Sequence, residues 1–198
     1  MTFGILTVCT GNICRSPLAE QLLRARLAPL DVTVESAGVS ALVGVGMPEP
    51  ALALATRLGV TDAASHVARQ VTVDFVRDAD LVLAMSREHR RAVVELTPAA
   101  TRKTFTVREL ANIAAGISDD ELRSEVAGSQ GAADALRAAV GLASALRGVV
   151  EPLPSPDDLD VVDPYGQPDA VYDQSASQLA PAAEAVAAFL AKAAAFGR

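Results

Sequence analysis

The sequence predicts an α/β fold in which a parallel sheet carries helices on both faces. Apolar runs of strand length alternate along the chain with segments of helical pattern, and this alternation is typical of parallel strands joined by crossover helices. The chain has 198 residues, 51% of them hydrophobic. That is enough to bury the core that such a fold needs.

The predicted strands are short apolar runs that stop at polar or turn residues. In chain order they are residues 3–8, 32–36, 81–84 and 103–106. In open sheets of this kind the ligand site lies outside the carboxyl ends of the strands. We therefore expect Cys9, Ser36 and Met85 to gather at one edge of the sheet.

The predicted helices are bounded by residues that favour helix ends. Residues 17–27 follow the first strand and begin at Pro17, residues 50–58 end at Gly59, and residues 87–96 end before Pro98. Residues 174–196 are Ala-rich and amphipathic, and we expect this last helix to belong to the core.

Residues 112–160 are interpreted as an insertion into one domain that spans residues 1–198. Ser118 is predicted to cap a helix, with Glu121 three positions later, and residues 131–149 are Ala- and Leu-rich at helical spacing. Residues 152–158 are rich in Pro and Asp and predict an extended linker. Packing decoration is the favoured role of the insertion, and a rim that selects substrates is the alternative.

Composition and charge exclude several classes of protein. The net charge of −7 argues against a nucleic-acid surface. The chain opens without the features of a signal peptide, and the apolar stretch 138–150 is too short to span a membrane. Both cysteines lie in one short loop, so we expect no structural disulfide and a reducing, cytoplasmic location. No His/Asp cluster indicates a metal, and no cofactor is expected.

The most informative stretch is a Cys-x5-Arg loop between the first strand and the first helix, Cys9-Thr10-Gly11-Asn12-Ile13-Cys14-Arg15. A strand, a tight loop and a helix N-terminus in this order surround an anion with backbone N–H groups and the positive end of the helix dipole. That field favours the thiolate of Cys9. Arg15 offers a two-pronged donor to phosphate oxygens. A merely buried Cys9 beside a solvated Arg15 is the simpler interpretation, but it leaves the rest of the loop unexplained.

The segment 9–17, Cys-Thr-Gly-Asn-Ile-Cys-Arg-Ser-Pro, resembles the signature of the low molecular weight protein tyrosine phosphatases. That family places an Asp-Pro-Tyr segment late in the chain, and this sequence has Asp163-Pro164-Tyr165. The similarity covers residues 3 to about 112 and 160 to the end. It implies a flavodoxin-like three-layer sandwich with a central four-stranded parallel sheet, interrupted by a helical insertion. It also implies a tyrosine phosphatase whose substrate is a phosphotyrosine-containing protein.

The chemistry of the residues agrees with this function. A Cys9 thiolate can attack phosphorus in line and form a phosphocysteine intermediate, which divides one difficult step into two. Asp163 is expected to protonate the leaving oxygen and then to accept a proton from the attacking water. Its apolar neighbours predict partial burial, which favours the protonated carboxyl. Nearby rivals for this role are Asp157, Asp158 and Asp160.

The resemblance implies roles for the other site residues. Phosphate-binding residues are Thr10, Gly11, Asn12, Ile13, Cys14 and Ser16. Asn12, Ser16, Ser36 and His66 are expected to form hydrogen bonds that hold the loop, and Ser16 to assist the thiolate as leaving group. Tyr165 would contact the substrate, with Leu42, Val43 or Met47 as the opposite wall. Cys14 either forms a redox disulfide with Cys9 or packs behind the loop.

Three alternative functions use a similar site. Protein arginine phosphatases of this family carry Thr at the position of Ile13, so Ile13 favours phosphotyrosine. Arsenate reductases of the same fold need further thiols, and the chain has two cysteines in all. A non-catalytic phosphate-binding module would typically have lost the thiol or the acid, whereas Cys9 and Asp163 are both present.

Overall fold

Four parallel strands form the centre of the computed structural model, which describes residues 2–197. They are β1 (Phe3–Cys9), β2 (Val32–Gly38), β3 (Leu81–Ala84) and β4 (Thr104–Thr106). Their order across the sheet is β2-β1-β3-β4. The register of β1 with β2 runs from Phe3 opposite Val32 to Cys9 opposite Gly38. The predicted four-stranded parallel sheet is confirmed.

Within residues 2–197 eight α-helices surround the sheet. They are α1 (Arg15–Leu27), α2 (Glu49–Arg57), α3 (Val73–Asp78), α4 (Arg87–Leu96), α5 (Val107–Gly116), α6 (Asp119–Val126), α7 (Ala132–Ala145) and α8 (Asp169–Phe196). Short 3₁₀ turns occur at Ala63–Ser65, Pro98–Lys103 and Pro156–Leu159.

The two faces of the sheet carry different helices because side chains of a strand alternate between its faces. Ile5 packs into a large apolar core with Leu23 of α1 and Leu190 of α8. Leu6, its neighbour in β1, packs into a smaller core with Val93 of α4. A helical layer therefore covers each face, and the predicted three-layer α/β sandwich is confirmed.

Some element boundaries differ from the prediction. Helix α5 runs through residue 112, where the insertion was expected to begin, because Thr106 and Glu109 form a capping box that starts the helix at Val107. The linker 152–158 is not wholly extended, because Ser155 caps the 3₁₀ turn Pro156–Leu159. Helix α8 begins at Asp169, before the predicted start at residue 174.

The two helices within the predicted insertion, α6 and α7, add to the helical layer that contains α8. Leu122 and Leu136 are buried in the large core. Arg137 of α7 pairs with Asp80, its Nε lying 2.8 Å from Oδ1, just before β3 begins. Because the ligand edge of the sheet is the opposite one, this contact places α7 away from that edge. The geometry therefore favours a packing role for α6 and α7 over a rim that selects substrates.

Helix α8 is long and apolar enough to cross a membrane by its length and composition. Half of its most apolar window is buried inside the protein, and Leu179, Val186 and Leu190 belong to the large core. This burial is typical of a core helix, which is how α8 is interpreted here.

Candidate active site

The loop that joins β1 to α1 lies at the carboxyl edge of the sheet. Cys9 ends β1, Arg15 begins α1, and both are buried. Asn12 has a φ of 56°, in the left-handed region that Asn tolerates better than most residues. Gly38, at the end of β2, allows the loop to lie against it. A Cβ at Gly38 would be 3.0 Å from the amide nitrogen of Asn12 and closer still to the carbonyl oxygen of Thr10.

Backbone donors hold the carbonyl groups of this loop. The N–H groups of Val39, Ser40 and Leu42 donate to the carbonyls of Cys9, Thr10 and Gly11, at 2.9, 3.0 and 3.0 Å respectively. Nε2 of His66 lies 2.6 Å from the carbonyl oxygen of Asn12. Because the carbonyls are bound on this outer side, the amide N–H groups of the loop are left available for an anion.

A buried chain of hydrogen bonds leads to the sulfur of Cys9. Ser36 donates to the carboxylate of Glu20 at 2.5 Å. Asn12 Nδ2 donates to Ser36 Oγ at 2.8 Å and to Ser16 Oγ at 3.0 Å. Ser16 Oγ lies 3.0 Å from Cys9 Sγ, and its hydroxyl also has the carbonyl of Ala37 within reach at 3.4 Å. The Ser16 hydroxyl thus contacts the sulfur directly from the first turn of α1.

Glu20 belongs to this series of buried hydrogen bonds, and the sequence analysis did not predict its role. Its side chain is 8% exposed and also pairs with Arg24 one turn later on α1. A mid-helix Glu beside an Arg is usually a solvated surface pair. Its position four residues after Ser16, on the same face of α1, is the signal that could have found it.

The side chain of Arg15 is only 6% exposed, and the nitrogens of its guanidinium have different surroundings. Nη1 donates to the carbonyl of Val161 at 3.0 Å, and Nη2 lies 2.5 Å from Oδ2 of Asp163. Nε is buried and has no hydrogen-bond partner within residues 2–197. A buried donor without a partner costs about 1–3 kcal/mol, so Nε is the group that a bound oxyanion would satisfy.

Asp163 faces Arg15 from the mouth of the site, and the prediction that it is partly buried is wrong. Its side chain is 51% exposed, although Oδ2 contacts the buried Arg15. Oδ1 accepts the N–H of Tyr165 at 3.2 Å. The carboxylate is therefore oriented by two contacts and remains open to a ligand.

The three rival carboxylates lie in the segment that leads to Asp163, and each has its own hydrogen-bond partner. Asp157 and Asp160 accept from Nη2 of Arg87, at 2.6 and 2.8 Å. Asp158 accepts the N–H of Ser155 at 3.1 Å. Among the carboxylates of residues 2–197, only that of Asp163 lines the pocket above the loop.

That pocket has a volume of about 140 Å³. It is lined by Cys9, Thr10, Gly11, Ile13, Cys14, Arg15, Ser40, Leu42, Asp163 and Tyr165. Of the three residues considered for the wall opposite Tyr165, Leu42 lines the pocket. Met47 is buried in the core, and Val43 is 66% exposed and lies outside the pocket. Cationic Arg15 lies at the base, and apolar side chains form the walls.

Cys14 is buried at the end of the loop, just before α1, and lines the base of the pocket. Burial, with a smaller contribution from Cys9, raises the pKa of the Cys14 thiol to about 12. Burial also raises the pKa of the neighbouring Tyr172 to about 12. Cys14 is therefore protonated at neutral pH.

His89 of α4 is a second residue that sequence reasoning missed. It is 5% exposed, and its Nε2 lies 2.8 Å from Oγ1 of Thr10 in the loop. Burial, and then the positive charge of Arg15, lower the pKa of His89 to about 4, so the ring is neutral at neutral pH. The signal was its position one turn after Met85, which the sequence already placed at the ligand edge.

Comparisons with known proteins agree with this geometry. Residues 4–122 match the model of a family described as low molecular weight phosphotyrosine protein phosphatase. This chain belongs to that family. The resemblance drawn from the Cys-x5-Arg loop is thus confirmed, and with it the phosphatase class.

The relatives with similar sequences are bacterial. Over 102 residues the chain is 40% identical to the low molecular weight protein-tyrosine-phosphatase Ptp of Acinetobacter johnsonii, covering 52% of this chain and 70% of that protein. Over 102 residues it is 45% identical to Etp of Escherichia coli (strain K12), covering 52% and 67%.

The solved structures with a similar fold include two kinds of phosphatase. The tyrosine phosphatase AmsI of Erwinia amylovora matches with a TM-score of 0.65 and 28% identity, over 93% of this chain and 91% of that one. The YwlE arginine phosphatase of Geobacillus stearothermophilus matches with a TM-score of 0.63 and 30% identity, over 94% and 91%.

Proposed function

We propose that this phosphatase hydrolyses phosphotyrosine in proteins through a phosphocysteine intermediate on Cys9. The observation that carries the proposal is the convergence of Cys9, Arg15 and Asp163 on one pocket. The sulfur attacks phosphorus and the tyrosine oxygen leaves with the bonding electron pair. Nε of Arg15 and the loop amides hold the phosphoryl oxygens, where charge is concentrated in the transition state.

Asp163 serves as the acid in the first step and the base in the second. A dianionic phosphate would compete with the Asp163 carboxylate for Arg15, which frees Asp163 to face the leaving oxygen. The proton of the Asp163 carboxyl goes to the leaving phenolate. In the second step the carboxylate accepts a proton from the water that attacks the phosphocysteine, and the thiolate leaves with help from the Ser16 hydroxyl.

The apolar walls of the pocket support phosphotyrosine as substrate. Ile13, Leu42 and Tyr165 line it above the Arg15 guanidinium, so an aromatic ring would contact apolar side chains on the way to the loop. Protein arginine phosphatase is the second candidate, because the structural relatives include YwlE. Ile13 separates the two, since arginine phosphatases of the family carry Thr there.

The physiological setting follows from the same residues. The proposed partner is a tyrosine-phosphorylated protein. Both cysteines are free, which fits a cytoplasmic location where thiols stay reduced. We propose that residues 1–198 act as one phosphatase domain, with α6 and α7 as packing elements.

The test is the hydrolysis of para-nitrophenyl phosphate by the wild type and by Cys9→Ser, Asp163→Asn and Asp157→Asn. We expect no turnover for Cys9→Ser and a loss of roughly 10²–10⁴-fold in kcat for Asp163→Asn. Asp157→Asn is the matched control, because its carboxylate is 89% exposed and lies outside the pocket. It should keep wild-type activity.

Phosphotyrosine and phosphoarginine peptides, assayed alongside, distinguish the candidate substrates. Preference for phosphotyrosine supports the proposal, and preference for phosphoarginine supports the second candidate. Turnover by Cys9→Ser would overturn the phosphocysteine mechanism. Phosphate binding without turnover by the reduced wild type would instead indicate a binding module.

A further inference from the structure

The N-terminus of α4 is connected to the phosphate loop through one buried ring. Ser86 caps the helix, and its Oγ accepts the backbone N–H of His89 at 3.3 Å. The same Oγ lies 2.8 Å from Nδ1 of His89. On the other side of the ring, Nε2 lies 2.8 Å from Oγ1 of Thr10, the residue that follows Cys9. The imidazole therefore joins a helix cap to the catalytic loop.

The neutral state of His89 defines these bonds. A neutral imidazole has one N–H and one bare nitrogen, so one of its two side-chain hydrogen bonds donates and the other accepts. Either Ser86 donates to Nδ1 and Nε2–H donates to Thr10, or Thr10 donates to Nε2 and Nδ1–H donates to Ser86. In both directions Ser86, His89 and Thr10 form an unbroken chain.

We propose that His89 is a positioning residue that orients the Thr10 amide of the phosphate loop. The carbonyl of Thr10 is already held by the N–H of Ser40 at 3.0 Å, and the imidazole holds its side chain. With both attachments the residue next to the nucleophile has little freedom to rotate. The proposal rests on the proposed mechanism, in which the loop amides face the transferring phosphoryl group.

Two substitutions, His89→Asn and His89→Gln, test the two side-chain hydrogen bonds of the ring one at a time. Asn at position 89 places its amide near the position of Nδ1, so it can keep the contact with Ser86 while losing Thr10. Gln reaches further, so its amide can replace Nε2 and keep the contact with Thr10. A residue that only fills space would respond alike to both changes, whereas a positioning residue is rescued by His89→Gln alone.

The experiment is a double-mutant cycle with Thr10→Val, which removes the hydroxyl but keeps the shape. We expect His89→Asn and Thr10→Val each to lower kcat on para-nitrophenyl phosphate roughly tenfold, because a misplaced donor loses transition-state binding. KM should change less than twofold. Combined, the two changes should cost no more than either alone. His89→Gln should stay within about threefold of the wild type, and the exposed neighbour Glu88→Gln is the control for surface changes.

A second readout keeps the proposal separate from the proposed function. The affinity for orthovanadate should fall by the same factor as kcat in His89→Asn. Calorimetry measures this affinity even if no turnover occurs. Unfolding in urea identifies variants that simply lose the fold. Additive effects of His89→Asn and Thr10→Val, or equal losses for the Asn and Gln variants, would overturn the positioning role.

Discussion

Protonation of His89 is expected to destabilise the folded protein in mild acid. Burial and the charge of Arg15 lower the pKa of His89 from 6.5 to about 4, although Asp163 and Asp160 oppose this shift. The unfolded chain therefore binds a proton at a higher pH than the folded protein does. The contribution to stability is complete above pH 6.5 and is lost as the pH falls toward 4.

The magnitude follows from the two pKa values. One pKa unit corresponds to about 1.4 kcal/mol, so the full shift is worth about 3 kcal/mol, and most of it, about 2–3 kcal/mol, is lost by pH 4.5. Other groups that titrate in this range are common to the wild type and to His89→Asn, whose amide does not titrate. The difference between the two proteins isolates the histidine.

The assay is urea unfolding of the wild type and His89→Asn at pH 7 and pH 4.5. At pH 7 the wild type should be the more stable of the two. At pH 4.5 its advantage should shrink by about 2–3 kcal/mol. If both proteins lose the same free energy between the two pH values, the His89 ring is not held neutral by burial and this reasoning fails.

Two further predictions concern the loop and the insertion. Gly38→Ala should destabilise the protein by about 1–3 kcal/mol and lower kcat/KM at least tenfold, because its Cβ would collide with the backbone of Thr10 and Asn12. The control is Gly141→Ala in α7, where nothing lies within 4 Å of the added Cβ; wild-type behaviour of Gly38→Ala would contradict the close approach. Leu136→Ala should cost about 2–5 kcal/mol in urea unfolding and leave kcat/KM of the folded enzyme unchanged, and a change in kcat/KM would restore the rim interpretation of the insertion.

The strands could be predicted because burial decides their sequence. All four residues of β3 are buried, and a strand covered on both faces is a continuous apolar run. The cap of α6 at Ser118 was equally local, since Ser118 and Glu121 satisfy each other within one turn. The start of α8 was predicted five residues late, although Pro168 precedes it and the acidic Asp169 lies in its first turn.

The residues of the candidate site also fall into two groups, those that a local sequence pattern predicts and those that only tertiary packing brings to the site. The Cys9 loop lies in one stretch of sequence, so its chemistry could be deduced from residue types and spacing. Asp163 lies far along the chain and was found through the Asp-Pro-Tyr resemblance. His89 is surrounded by charged residues in α4, a pattern that indicates a solvated helix. Only tertiary packing against Thr10 buries its ring, and no local pattern records that contact.

The N-terminus of α4 holds both halves of the proposed site. On one side His89 binds Thr10, next to Cys9. On the other side Arg87 binds Asp160, three residues before Asp163. Just before the helix, the carbonyl of Met85 accepts the N–H of Val161 at 2.9 Å. The end of β3 and the first turn of α4 thus contact two chain segments that are distant in sequence, the Cys9 loop and the segment before Asp163. Both segments contact this turn, so the positions of Cys9 and Asp163 depend on contacts to α4 as well as on the loop itself.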